Sequence, residues 1–150
     1  MSNINCVTKM KLIDCSAGNW DFIRKLRNDR EVQAGFIESK FITKEMQSLY
    51  MMKNHMNYKI CLIGDVPCGY VGVIDNDIRI CTHPDYQKKG VGLFMLKKII
   101  DYYPDAIGKV KLNNKNSIKL FYAAGFIVVE RNDDFLFFEY QLLNELDDNI

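Results

Sequence analysis

Residues 82–100 decide the fold of this chain, and they read THPDYQKKGVGLFMLKKII. An apolar, strand-like run stops at residues 83–84, a loop with Gly90 and Gly92 follows, and apolar residues then recur at helical spacing. The first N–H groups of a helix lack a helical partner, and the helix dipole is positive at that end. Because glycine lets the backbone come close to a phosphate, this stretch predicts a strand, an anion-binding loop and a helix that hold a phosphorylated ligand.

The composition is that of one globular domain, with 150 residues, 48% hydrophobic residues and a net charge of +1. A nearly neutral chain has no general attraction to nucleic acid. No apolar run approaches the roughly 20 residues of a membrane span, and the N-terminal residues lack the continuous apolar core of a signal peptide. We therefore expect one cytoplasmic domain over residues 1–150, with a frayed tail after about residue 143 and no nucleic-acid or membrane partner.

The cysteines and histidines favour neither a disulfide framework nor a metal site. No pair of cysteines has the C-x-x-C spacing, and the two histidines are far apart in the sequence. We expect reduced thiols that are buried as small hydrophobic groups, and no metal. The cysteines in question are Cys6, Cys15, Cys61, Cys68 and Cys81.

The hydrophobic pattern along the chain predicts alternating helices and strands in one mixed sheet, mostly antiparallel. The predicted elements are a strand at 7–13, helices at 19–27, at 32–36 and from Thr43, strands at 58–63, 69–74 and 78–82 with a turn at 75–77, a helix to about 102, a strand at 107–112, a short helix from 116 or 117 to Gly125, and strands at 126–130 and 135–141.

Two motifs in this order resemble those of the GNAT acetyltransferase superfamily. The sequence QKKGVG at 87–92 resembles its Q/R-x-x-G-x-G/A loop, and NKNSIKLFYAAGF at 114–126 resembles its Asn-x-x-Ser/Ala…Tyr…Gly-Phe segment. The resemblance covers nearly the whole chain. It implies an α/β fold with a mixed, mostly antiparallel sheet of six to seven strands, helices on both faces, and a parallel strand pair that splays apart.

The resemblance also implies acetyl-CoA as a co-substrate, bound between the strands at 78–82 and 107–112. The gap would leave backbone groups free for the pantetheine amides, as for an added strand. By resemblance, the contacts are the backbone of Ile80, Cys81 and Thr82, the pyrophosphate loop of Lys88, Lys89, Gly90, Val91, Gly92 and Leu93, and Asn114 from the far side.

Acetyl transfer to an amine requires a proton acceptor, a donor to the carbonyl oxygen and a donor to the leaving thiolate. Direct attack needs no covalent intermediate, in keeping with the lack of a nucleophile motif. Similar proteins often carry a tyrosine four residues before the Gly-Phe glycine, where this chain has Phe121. The candidate acid is therefore Tyr122, with water as the alternative. The candidate base is His83, with Glu38, His55 or a chain of waters as alternatives. Asp75 and Asp77 flank the start of the strand, where turn chemistry explains both.

The N-terminal third resembles a subgroup that acetylates nucleotide-linked amino sugars, or protein N-termini in close relatives. The resemblance lies in residues 26–29 (LRND), Phe36 and residues 42–45 (ITKE). Arg27 and Asn28 are the candidate acceptor-binding residues, since arginine suits phosphate geometry.

The expected reaction is therefore acetylation of a primary amine on a nucleotide-linked amino-deoxy sugar. The alternatives are an N-terminal or small-amine acetyltransferase, and a catalytically silent CoA-binding module that the phenylalanine at the usual tyrosine position keeps open. Because many such domains pair, a homodimer is also among the expectations.

Overall fold

The computed structural model describes residues 9–37 and 40–141. Within them the chain forms seven strands and five α-helices, joined in places by short 3-10 turns. The elements are β1 (Met10–Asp14), α1 (Trp20–Asn28), α2 (Arg30–Gln33), α3 (Lys44–Asn54), β2 (Tyr58–Ile63), β3 (Val66–Ile74), β4 (Asp77–Thr82), α4 (Val91–Tyr102), β5 (Ile107–Lys111), α5 (Lys115–Ala123), β6 (Phe126–Arg131) and β7 (Phe135–Tyr140).

This order of elements confirms the order predicted from the hydrophobic pattern. In the described part the first strand is Met10–Asp14, and residues 7–8 of the predicted strand lie outside the described residues. Cys6, Glu38 and the predicted frayed tail lie outside it as well.

The strands form one sheet in the order β1-β2-β3-β4-β5-β7-β6. Every neighbouring pair is antiparallel except β4 and β5, which are parallel. The parallel pair has a single bridge, between Asp77 and Ile107, and then diverges. The predicted mixed sheet with a splayed parallel pair is therefore confirmed.

The tight turn between β3 and β4 holds the two diverging strands together at one end. Asp75 and Asn76 adopt φ values of 50° and 68°, which suit a two-residue hairpin turn and which Asn and Asp tolerate. The Asn76 carbonyl accepts from the Ile107 N–H at 2.8 Å, and its side-chain amide donates to the Asp105 carbonyl at 2.9 Å. Because β5 is joined to β4 only here, the far ends of β4 and β5 are free to separate.

The sheet is covered on both sides, and alternate residues of β4 point to opposite sides. Ile78 lies in the core with α4 and α5, whereas Cys81 lies in the core with α1 and α3. We call these sides the α4 face and the α1 face. By the same alternation, Asp77 and Arg79 point to the α1 face.

The core on the α4 face holds helix α4 firmly against the sheet. Met95, Leu96 and Ile99 of this helix are completely buried. Burial of each such side chain stabilises the fold by about 1.5–3 kcal/mol. The N-terminus of α4 is thereby held at the splayed end of β4.

The described cysteines, Cys15, Cys61, Cys68 and Cys81, are all buried free thiols. Within residues 9–37 and 40–141, no cluster of three potential metal ligands is found. Every helix in the same residues is too short or too polar to span a lipid bilayer.

Candidate active site

The backbone of β4 offers unpaired hydrogen-bonding groups to the gap. The His83 N–H donates to the Cys68 carbonyl at 2.8 Å, so His83 and Cys68 face each other as a hydrogen-bonded pair of β3 and β4. Such pairs alternate along antiparallel strands. The odd-numbered residues of β4 therefore bond to β3, and the backbone groups of Ile78, Ile80 and Thr82 face β5.

The gap begins directly after the bridge between Asp77 and Ile107. Beyond this point, the gap-facing backbone groups of Ile80 and Thr82 have no partner in β5. The backbone groups of Cys81, by contrast, point toward β3, where Cys81 is paired with Tyr70. A ligand with amide groups can therefore bond at Ile80 and Thr82 as an added strand would.

A cleft of about 420 Å³ occupies this gap. Ile78, Ile80 and Phe121 line it from the α4 face, whereas Tyr70 and Arg79 line it from the α1 face. The cleft thus passes through the sheet, so two ligands can meet in it from opposite sides.

The N-terminus of α4 has the predicted form of an anion site. Gly90 is its N-cap residue with a φ of 84°, and no side chain caps the helix. The first helical hydrogen bond is made by the Phe94 N–H, which donates to the Gly90 carbonyl at 3.0 Å. The N–H groups of Val91, Gly92 and Leu93 therefore lack helical partners and face outward with the positive end of the helix dipole.

Close packing keeps this helix end beside the gap. A Cβ atom at Gly92 would lie 3.0 Å from Leu120 Cδ2 of α5 and 3.7 Å from Thr82 Oγ1 at the end of β4. In the loop before it, Lys88 is exposed with a φ of 62°, and Lys89 lies with its Nζ 5.4 Å from the Tyr86 ring centre. The free amides and the two lysines therefore place positive charge beside the end of β4.

Asn114 lies at the opposite wall of the cleft. Its side-chain oxygen accepts from the Ser117 N–H at 3.2 Å and so caps α5. Its side-chain amide donates to the Gly35 carbonyl at 3.5 Å. Asn114 therefore joins the wall of the cleft to the segment after α2.

These features agree with the comparison with known protein families. Residues 20–126 match the profile of the acetyltransferase (GNAT) family. The chain belongs to the GNAT acetyltransferase family. It is an acetyltransferase that uses acetyl-CoA as its acetyl donor. A search of curated proteins found no match.

Several solved structures share the fold of this GNAT acetyltransferase. A spermidine N-acetyltransferase from Vibrio cholerae, in complex with CoA and spermine, superposes with a TM-score of 0.78 at 18% identity, over 87% of this chain and 94% of that chain. The yncA protein from Salmonella typhimurium, with its cofactor acetyl-CoA, superposes with a TM-score of 0.73 at 18% identity, over 89% of this chain and 94% of that chain. A GNAT acetyltransferase from Bacillus anthracis superposes with a TM-score of 0.74 at 13% identity, over 87% of this chain and 93% of that chain. These likenesses support the fold, and none supports the amino-sugar subgroup.

The candidate acid of this acetyltransferase, Tyr122, does not line the cleft. Phe121 lines it instead, stacked on Phe138 with the ring centres 5.2 Å apart. Tyr122 is 53% exposed, and its ring packs edge-to-face with Phe138 outside the cleft. The cause is helix geometry, because Asn114, Ser117 and Phe121 lie along one side of α5 and the next residue is turned by about 100°.

The candidate bases also lie away from the cleft. His83 caps the short turn Pro84–Tyr86, where its Nδ1 accepts from the Asp85 N–H at 3.1 Å. His55 packs beside Trp20, with the ring centres 6.1 Å apart. Neither histidine lines the cleft.

Of the candidate acceptor residues, Arg27 lines the cleft and Asn28 does not. The Asn28 amide donates to the Ile42 carbonyl at 2.9 Å, and its oxygen accepts from the Ile42 N–H at 2.8 Å. Both hydrogen-bonding groups of Asn28 are thereby used to fasten the end of α1 to the residue before the cap of α3. Asn28 therefore has a structural role outside the cleft, and its contact with the acceptor stays a prediction.

Several polar residues that line the cleft lie outside the predicted site, among them Arg79, Lys109, Tyr58 and Tyr70, and the sequence assigns Asp77 to a turn. Arg79 Nε lies 3.0 Å from Asp77 Oδ2. Burial raises the pKa of the Asp77 carboxyl above its usual value, although Arg79 and Lys109 act in the opposite direction. Asp77 is the one carboxylate among the described residues that line the cleft.

The tyrosines of the α1 face are neutral hydrogen-bonding groups. The hydroxyls of Tyr58 and Tyr50 lie 2.6 Å apart, and burial raises the pKa of Tyr58. Burial also raises the pKa of Tyr70 well above its usual value. In sequence, Tyr58 and Tyr70 look like ordinary core residues of strands, so only the gap beside them reveals their position.

The thiol of Cys81 is not a nucleophile in this site. Burial raises its pKa to about 12, so it carries its proton at neutral pH. Its side chain belongs to the core of the α1 face. A direct transfer without a covalent intermediate is compatible with this arrangement.

Proposed function

We propose that this acetyltransferase transfers the acetyl group of acetyl-CoA to the primary amine of a small molecule by direct attack. The single observation that carries the proposal is the gap after the Asp77–Ile107 bridge, which opens beside the uncapped N-terminus of α4. A diphosphate fits the helix N-terminus, and a chain with amide groups fits the gap between the strands.

The described residues fit the donor in three places. The Ile80 carbonyl and the backbone groups of Thr82 would pair with its amides, and Cys81 holds the strand between them against β3. The amides at the start of α4, with the adjacent lysines, would hold its diphosphate. Asn114 stands at the far wall. The bound donor supplies the thioester whose acyl group is transferred. The pyrophosphate residues are Lys88, Lys89, Gly90, Val91, Gly92 and Leu93.

The chemistry of the chain's own residues follows from the cleft. The Ile80 N–H faces the gap and would donate to the carbonyl oxygen that gathers charge. The Asp77 carboxylate would take up the amine proton, directly or through one water. Tyr122 and His83 do not line the cleft, and a water molecule would therefore donate the proton to the thiolate.

The choice of a small amine over a nucleotide-linked amino sugar is supported by the fold relatives. The Vibrio cholerae relative is a spermidine N-acetyltransferase. The amino-sugar hypothesis keeps one supporting observation, because Arg27 lies in the cleft and arginine suits phosphate. It is therefore the second candidate.

The test is release of free CoA thiol from acetyl-CoA with a panel of primary amines, with the product identified by mass. The panel contains small amines, a nucleotide-linked amino sugar and peptides with free N-termini. We expect thiol release with small amines and none with peptides. CoA binding without thiol release for any amine would contradict the proposal, and so would turnover restricted to peptides.

A further inference from the structure

We infer, on the basis of the proposed function, that the acceptor carries an anionic group beside its primary amine, and that Arg27 and Arg79 hold this group. The group is a carboxylate or a phosphate, since both match the planar fork of a guanidinium.

The first support is the charge of the cleft. Among the described residues that line it, Arg27, Arg79 and Lys109 are cationic, and Asp77 alone is anionic. The cleft therefore has an excess of two positive charges in a chain whose net charge is only +1. A concave site with this excess concentrates anions.

The second support is that the cations retain free hydrogen-bonding capacity. Arg79 binds Asp77 through Nε at 3.0 Å, so its terminal nitrogens are left for another partner. Within the described residues, Arg27 and Lys109 form no salt bridge. Arg27 instead lies with its Cζ 5.9 Å from the Tyr50 ring centre, at the α1 face.

The third support is the side on which these cations lie. Arg79 points to the α1 face by strand alternation, and Lys109 does so too, because Val110 beside it lies in the core of the α4 face. The uncapped N-terminus of α4 packs on the α4 face. The phosphates of the donor would bind at that helix N-terminus, without contact to these cations. Arg27 and Arg79 are therefore available to bind the acceptor.

The same charges argue against a polyamine acceptor. A polyamine carries further ammonium groups, and these would meet Arg27, Arg79 and Lys109 with a single carboxylate nearby. Like charges brought together in a partly buried site discriminate against a ligand. This chain therefore differs in acceptor from the spermidine N-acetyltransferase whose fold it shares.

The test compares matched pairs of amines by calorimetry on the protein saturated with CoA, so that it does not depend on turnover. The pairs are glycine with glycinamide, and glucosamine 6-phosphate with glucosamine, and spermidine is added alone. We expect the anionic member of at least one pair to bind at least about tenfold more tightly than its neutral partner. The pair that shows the preference identifies carboxylate or phosphate as the group.

Two variants assign the effect. Arg27→Gln is expected to remove the preference for the anionic member, with CoA affinity unchanged. Lys25→Gln is the matched control, because Lys25 lies on the same helix, is exposed and does not line the cleft. Equal binding within both pairs, tightest binding of spermidine, or a preference that survives Arg27→Gln would overturn the inference. The proposed function is judged separately, by thiol release.

Discussion

The ring of Phe121 lies against the α-carbon of Gly108, where helix α5 meets strand β5 at the wall of the cleft. A Cβ atom at residue 108 would stand 2.6 Å from the Cζ atom of this ring, so the ring would have to move. The ring also stacks on Phe138, the strand partner of Gly108. The absence of a side chain at one position of β5 therefore sets how closely α5 approaches the gap.

Gly108→Ala should destabilise the protein by about 1–3 kcal/mol, because the added methyl group must push the Phe121 ring aside. The measurement is the free energy of unfolding from urea titration. In a Phe121→Leu background the same change should cost less, since the contact is already relieved. An undiminished penalty in that background would show that the ring is not the cause.

Gly90→Val should weaken CoA binding strongly, since it blocks the approach of a phosphate to the first amides of α4. It should also cost stability, because an L residue at a φ of 84° is strained by about 1–2 kcal/mol or more. Gly64→Val is the matched control, with a φ of 60° and no atom within 4 Å of the added Cβ. We expect similar losses of stability and a loss of CoA affinity, measured by calorimetry, only for Gly90→Val.

Tyr122→Phe should leave turnover within about twofold of the unmodified enzyme, since its ring is outside the cleft and a surface hydroxyl contributes little. The measurement is kcat with saturating acetyl-CoA and amine. A tenfold or greater loss of kcat, with stability unchanged, would restore Tyr122 as the acid.

Asp77→Asn should lower kcat about a hundredfold if the carboxylate accepts the amine proton. Its pKa is raised, so the acidic limb of the kcat profile of the unmodified enzyme should lie above the usual range for Asp, with the rate rising as the carboxylate forms. The variant should lose that limb. Asp75→Asn is the control, because Asp75 lies in the adjoining turn and does not line the cleft.

Cys81 should react with iodoacetamide far more slowly than an ordinary thiol. A pKa of about 12, against the usual 9.0, means about a thousandfold less thiolate at pH 8. Cys15, whose pKa is raised to about 11, should be labelled faster. Peptide mapping by mass measures both rates, and Cys81→Ala should retain most of kcat. Rapid labelling of Cys81 would refute its burial as a protonated thiol.

The sequence predicted most of the architecture because the local signals were strong. The glycine loop, the helix that follows it and the hairpin turns are dictated by backbone conformation and hydrophobic spacing, and both are legible in a single chain. The resemblance to the GNAT family also implied a gap between two parallel strands, and β4 and β5 do diverge after a single bridge. These features depend on residues close together in the sequence.

The acceptor side was harder to predict because it depends on long-range contacts. Asn28 looked like a ligand residue, but its partner is the Ile42 backbone, fourteen residues away. Arg79 alternates with buried residues and so reads as a solvent-facing strand residue. Tyr122 and Phe121 differ by one position, and only the packing of α5 on β5 decides which ring enters the cleft.

The splayed pair has one more consequence. A sheet opened at its centre has four free margins instead of two, and the inner margin of β4 presents the unpaired backbone of Ile80 and Thr82. Unprotected strand margins are templates on which other extended chains assemble. When acetyl-CoA is scarce, this enzyme should therefore become more prone to aggregate.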